Sequence, residues 1–224
     1  MAMLPHVKEK TAEVVARLRE LLKLRDGYIE ELTKEITEFV LTTRDIIRIL
    51  WRVEDELELS KLRLEIPVIL THIHVDGYGN VRISQERLIM RGMKFEYGWG
   101  QRYFVIEHEP VDTSVKTCCW QEKSLTKIPF HDGLVYDEKE KVAEYIKKSL
   151  SGDLVPSCNI IGYIILVDFI VTNINAIEAM IRSIITRRAE AMQRVISSAT
   201  AMLSERISEA KSRVQALAEE VGEG

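Results

Sequence analysis

LRELLKLRDGYIEELTKEITEFVLTTRDIIRILWRVEDELELSKLRL, residues 18–64, decides how the rest of the chain is read. Taken from Leu18 in alternating steps of four and three, it gives Leu18, Leu22, Arg25, Ile29, Leu32, Ile36, Phe39, Thr43, Ile46, Leu50, Val53, Leu57, Ser60 and Leu64, most of them apolar. A 3.5-residue repeat kept over so many turns describes a helix with one apolar seam, and such a seam has to be buried against another helix. Pro5 suits a first helical turn and Pro67 cannot continue one, so the helical region is bounded at both ends. Continuous, it would reach about 85–90 Å at 1.5 Å per residue. Asp26-Gly27 is its weak point, because glycine costs about 1 kcal/mol relative to alanine inside a helix. A kink or break there leaves a main helix from about Tyr28 to Arg63.

A second long helix is predicted at the other end. Asn175 with Glu178 forms a capping pattern, and Ile177, Ile181, Ile184, Ile185, Met192, Val195, Ile196, Ala199, Leu203, Ile207, Ala210, Val214 and Leu217 follow along one side. Small residues from Ser197 to Ala201 would let helices approach closely. The layout is therefore α+β: a long N-terminal helix in residues 1–65, a β-rich domain in 66–174, and a long C-terminal helix in 175–224. The two helices are expected to pair as an antiparallel coiled coil or bundle, with the small domain inserted between them. Leu21, Leu24, Val40, Leu41, Ile47 and Trp51 lie outside the first seam, more apolar surface than one partner helix covers. This predicts a homo-oligomer, most simply a dimer, and the pattern leaves open whether the long helices pair within or between chains.

After Pro67 the period changes from helical to alternating. Val68–Val75 reads as a strand, Asp76-Gly77-Tyr78-Gly79-Asn80 as a turn, and Val81–Ser84 as the return of a hairpin. Met93–Tyr97, a Gly98-Trp99-Gly100 turn and Arg102–Ile106 give a second hairpin. Residues 107–133 read as loops with one short strand at Val115–Trp120. Asp137 and Glu140 cap a short helix whose apolar face is Val142, Tyr145, Ile146 and Leu150. Ile160–Val171, apolar on both parities, reads as a central strand buried on both faces.

Charge narrows the function classes. Lys+Arg against Asp+Glu is 12 to 14 in residues 1–65, 12 to 14 in 66–174 and 7 to 7 in 175–224, so no segment is strongly basic. The nearest nucleic-acid candidate is Arg182, Arg187, Arg188 and Arg194, diluted by Glu190, which reads first as a solvated helix face. Cys118, Cys119 and Cys158 are an odd set without framework spacing, which favours a reducing cytoplasm over a disulfide scaffold. The N-terminus carries no secretory pattern. The most apolar window, Asn159–Ile177, holds Asp168 at its centre, and a charge there costs roughly 2.5–3.5 kcal/mol on insertion. It is read as buried core rather than a membrane span, with Asp168 paired to an arginine such as Arg82 or Arg102. Abundant Ile, Glu, Arg and Lys fit a heat-adapted source.

His72, His74 and Asp76 alternate along a strand and so share a face. Their His-x-His-x-Asp spacing resembles that of several metal-dependent hydrolases. The resemblance covers six residues, has Gly77 where the metallo-β-lactamase-like pattern has a further His, and leaves no room for an amidohydrolase barrel. Further ligands would come from His108, His131, Cys118, Cys119 or Asp168. The two histidines are expected to be structural, half exposed on an edge hairpin. Adjacent cysteines point to opposite faces of a strand, which predicts one in the core and one near the surface. Gly77-x-Gly79 and Gly98-x-Gly100 open no helix and cradle no phosphate. Trp99, at a turn tip, is a candidate anchor for a protein partner.

No motif supports a family assignment. The expectation is a non-enzymatic, cytoplasmic scaffold or assembly protein that binds itself and an unknown protein, without a cofactor. The alternatives are a metal site at His72, His74 and Asp76, and nucleic-acid association through the Arg182–Arg194 patch.

Overall fold

In the computed structural model, which describes residues 10–11, 13–14, 29–75, 81–98, 100–111, 118–151 and 158–222, the first complete element is helix α1 (Ile29–Leu57). The Asp26-Gly27 weak point lies outside the described residues. Leu32, Ile36, Phe39, Thr43, Ile47, Leu50 and Glu54 are buried along α1, in steps of four, three, four, four, three and four. That is the period of a straight helix on a globular body. A strict heptad drifts about 20° per repeat on such a helix, so burial passes from Ile46 and Val53 to Ile47 and Glu54. Three threonines reach this face because each donates its hydroxyl to a carbonyl four residues back: Thr33 to Ile29 and Thr37 to Thr33 at 2.6 Å, Thr43 to Phe39 at 2.7 Å. The helix ends before Arg63 because Glu58 adopts φ 50°, ψ 46°, and a 3₁₀ turn, Leu59–Lys61, follows. A left-handed glutamate gives no sequence signal of the kind glycine provides.

Five strands form one curled antiparallel sheet in the order β1-β2-β3-β5-β4: β1 (Ile66–Val75), β2 (Val81–Gly98), β3 (Gln101–His108), β4 (Trp120–Glu122) and β5 (Leu125–Phe130). β1 and β2 pair from Ile66↔Met90 to Val75↔Val81, the first predicted hairpin. Its return does not stop at Ser84. β2 runs on for 18 residues and is also the first arm of the second hairpin, pairing with β3 from Met90↔His108 to Gly98↔Gln101. The register shifts between Met90 and Gly92, where pairing passes from one neighbour to the other. Of the strand expected at Val115–Trp120, residues 115–117 lie outside the description, and the strand found there is β4.

Four helices follow: α2 (Asp132–Tyr136), α3 (Lys139–Ser151), α4 (Cys158–Thr172) and α5 (Ile174–Gly222). α3 buries Val142, Ile146 and Leu150, as its apolar face predicts. Asp132-Gly133, read as a turn, opens α2, where the His131 ring accepts the Gly133 N–H at 3.0 Å as a cap.

The segment read as a central strand is helix α4. Eleven of its fifteen residues are buried, on every side of the helix. A run apolar on both parities states only that all its sides are covered, and period alone does not separate a buried strand from a buried helix. α4 packs against β1, β5 and α1. At Gly162 an added Cβ would stand 1.8 Å from the Pro129 carbonyl oxygen of β5, so glycine is the residue that fits. One residue on, the Tyr163 hydroxyl lies 3.0 Å from Thr43 Oγ1 and donates to the Val40 carbonyl at 3.2 Å, tying α4 to α1. Asp168 accepts the Thr71 hydroxyl at 2.5 Å, while Arg102, a predicted partner for it, pairs with Asp132 at 3.0 Å.

The chain divides into two compact units, Met1–Ile177 and Glu178–Gly224. The first holds the sheet and its helices. The second is a single run of α5.

Candidate functional site

The C-terminal unit carries the most unusual surface in the described residues. Every side chain described from Ile185 to Ser208 is exposed, including Ile185 (51%), Met192 (64%) and Leu203 (61%), with Val195, Ile196, Met202 and Ile207. Ile185, Ala189, Met192, Ile196, Ala199 and Leu203 are spaced by four, three, four, three and four, so they line one stripe of a straight helix. The arginines proposed for nucleic acid lie on the same helix. Arg182 pairs with Glu178 (Nη2–Oε1 2.6 Å), Arg194 reaches the Glu190 carbonyl at 3.4 Å, and Arg187 and Arg188 are exposed.

In the sheet unit, His72 is 2% exposed rather than half exposed. Its Nε2 lies 2.9 Å from Glu86 Oε2, which also accepts the Gln121 amide at 3.0 Å. The contacts join β1, β2 and β4, and the correction has a simple cause. Both faces of β1 are covered, because β4 returns toward β2 on the side that a lone hairpin would leave to solvent. His72 Nδ1 is buried and has no hydrogen-bond partner among the described residues. His74, two residues on, is half buried opposite Arg82. Asp76 lies outside the described residues, as does Trp99. Among the described residues, no three His, Cys, Asp or Glu side chains converge as a metal site. His108 is held by the Glu109 carbonyl at 2.7 Å and Thr126 Oγ1 at 2.9 Å, and His131 by its cap and by stacking on Tyr145 at 4.4 Å. Cys119 is buried and Cys118 half-buried, in the bend just before β4 rather than on a strand.

A second surface was not visible in the sequence. The Arg102 guanidinium lies 4.9 Å from the Trp51 ring centre and 5.0 Å from that of Tyr97, while Phe95 stacks on Trp51 at 5.0 Å. Tyr136 meets Trp51 edge-on at 5.8 Å and receives Arg48 at 5.5 Å. Tyr97 and Tyr136 are exposed. Just beneath, burial raises the Glu54 carboxyl above its usual range, against hydrogen bonds from the Ser60 side chain and the Phe95 backbone that act to lower it. This cluster draws on α1, β2, β3 and α2, so no local motif announces it.

No protein family matches the chain, and no curated protein or solved structure is significantly similar to it. No single helix among the described residues is long and apolar enough to cross a membrane.

Proposed function

We propose that this chain is a non-enzymatic, self-associating scaffold in which α5 is the assembly element and the sheet unit presents a protein-binding surface. The observation that carries the reading is the uncovered apolar stripe from Ile185 to Ile207. Large exposed apolar patches on folded chains mark interaction sites, and heptad spacing suits another helix of the same kind. The occupant is a second copy of α5, since α1 spends its own stripe inside the sheet unit. Burying Ile185, Met192, Ile196, Leu203 and Ile207 would contribute on the order of 1.5–2 kcal/mol each, enough in two helices to offset the cost of association. The pairing expected from the sequence is thus assigned between chains.

For the binding surface, Trp51, Tyr97 and Tyr136 with Arg48 and Arg102 have the composition of protein interface hot spots. Trp99 follows Tyr97 by two residues in sequence.

Multi-angle light scattering across a concentration series tests the assembly role. The wild-type chain should be a dimer or larger, and Ile196→Asp with Leu203→Asp should give a monomer with a folded sheet unit. A wild-type chain that stays monomeric at all concentrations overturns the proposal.

A further inference from the structure

Arg102 is held by three side chains and still has one edge unused. Its guanidinium lies over the Trp51 ring, 4.9 Å from the centre, and over the Tyr97 ring at 5.0 Å. Tyr97 stands opposite Arg102 in the β2–β3 ladder, and Trp51 arrives from α1, where it stacks on Phe95 at 5.0 Å. Nε donates to both carboxylate oxygens of Asp132, at 3.0 and 3.1 Å. Neither Nη nitrogen makes a hydrogen bond or ion pair among the described residues, and 30% of the side chain is exposed.

We propose that the free Nη edge of Arg102 is a carboxylate-binding anchor, and that the partner taken by this surface is an acidic peptide segment: an Asp or Glu on Arg102, with an apolar neighbour on Tyr97 or Tyr136. The inference rests on reading the sheet unit as a protein-binding surface and adds the chemistry of what it binds.

A guanidinium carries five N–H donors in one plane, and Asp132 occupies the one on Nε. The end of the fork, with one N–H from each Nη, matches the two oxygens of a carboxylate. Contact with two aromatic rings and a carboxylate fixes the fork in advance, so little side-chain freedom is lost when an anion binds. The rings also keep water from part of the guanidinium, which strengthens the attraction relative to a fully solvated cation. Arg48 is the less suitable anchor, since its Nη1 is already given to Asp45 at 2.8 Å. Tyr97 and Tyr136 are 63% and 55% exposed, and their rings offer apolar area next to the charge.

The test pans a display library of random dodecapeptides on the full chain and keeps the binders that Tyr97→Ser abolishes. These should be enriched in Asp and Glu over the unselected library. For one such peptide made synthetically, changing its acidic residue to the amide should weaken binding about tenfold or more, and Arg102→Gln should do the same to the original peptide. The two changes should not add: on Arg102→Gln the acid and amide peptides should bind alike. The amide peptide probes the contact on unaltered protein, so the test does not depend on the variant folding. Binders without acidic enrichment, or losses that simply add, would overturn this inference and leave the protein-binding surface standing. A library that yields no Tyr97-dependent binder overturns both.

Discussion

Asn173 holds both backbone polar groups of Ile69: its Oδ1 accepts the Ile69 N–H at 2.8 Å and its Nδ2 donates to the Ile69 carbonyl at 2.8 Å. The remaining amide proton reaches the Phe169 carbonyl at 2.7 Å, at the end of α4. β1 is an edge strand, and here one side chain takes the place of a neighbouring strand. The same residue separates α4 from α5.

Asn173→Ala removes all three bonds and leaves Ile69 without its partner. The cost should be about 2–4 kcal/mol in urea denaturation. Asn173→Asp keeps one acceptor but sets a carboxylate against two carbonyls, so it should not rescue stability at pH 7. A wild-type midpoint in either variant would show that the contact is dispensable.

Gly162→Ala should be among the most damaging small substitutions in the chain. Its methyl would overlap the Pro129 carbonyl, and either α4 or β5 has to move. Overpacking of this kind costs about 3 kcal/mol or more, seen as a lowered melting temperature or loss of soluble protein.

Tyr163 predicts an alkaline limb of stability. Burial holds its phenol above the usual value, against the Thr43 hydrogen bond that acts to lower it. A raised pKa means that the folded state favours the neutral phenol. Its contribution is intact below about pH 10, where an unfolded tyrosine begins to ionise, and is lost as pH climbs beyond that. Tyr163→Phe should cost about 1 kcal/mol at pH 7 and flatten the decline above pH 10 relative to wild type. Parallel pH profiles for the two proteins would contradict this.

Ile36 and Ile196 separate folding from assembly. Ile36 is 1% exposed and Ile196 51%. Ile36→Asp should unfold the sheet unit, since a buried, unpaired carboxylate costs several kcal/mol. Ile196→Asp should leave near-UV dichroism unchanged and alter only the mass measured by light scattering.

The sequence made some of these relationships legible and hid others for definite reasons. The mixed helix-and-sheet class, the first hairpin and α3 followed from period and capping alone. α4 did not, because uniform burial erases the period that separates helix from strand. The middle of β2 gives no strand signal because Gln85-Glu86-Arg87 followed by Leu88-Ile89-Met90 is a polar run and then an apolar run, although its burial alternates in the sheet. Of the candidate site residues, His72 shares its face with His74, but its partner Glu86 is 14 positions away. The Trp51–Arg102 contact joins α1 to β3 and leaves no local trace.

The placement of α4 also has a consequence for how the protein is made. The sheet strands are synthesised before the helix that fills their curl, so a nascent chain up to residue 157 carries a hollow, apolar surface. That surface has no filling until residues 158–172 leave the ribosome. A chain stopped short of Cys158 should therefore bind chaperones or aggregate, and completion of α4 should act as the checkpoint for release.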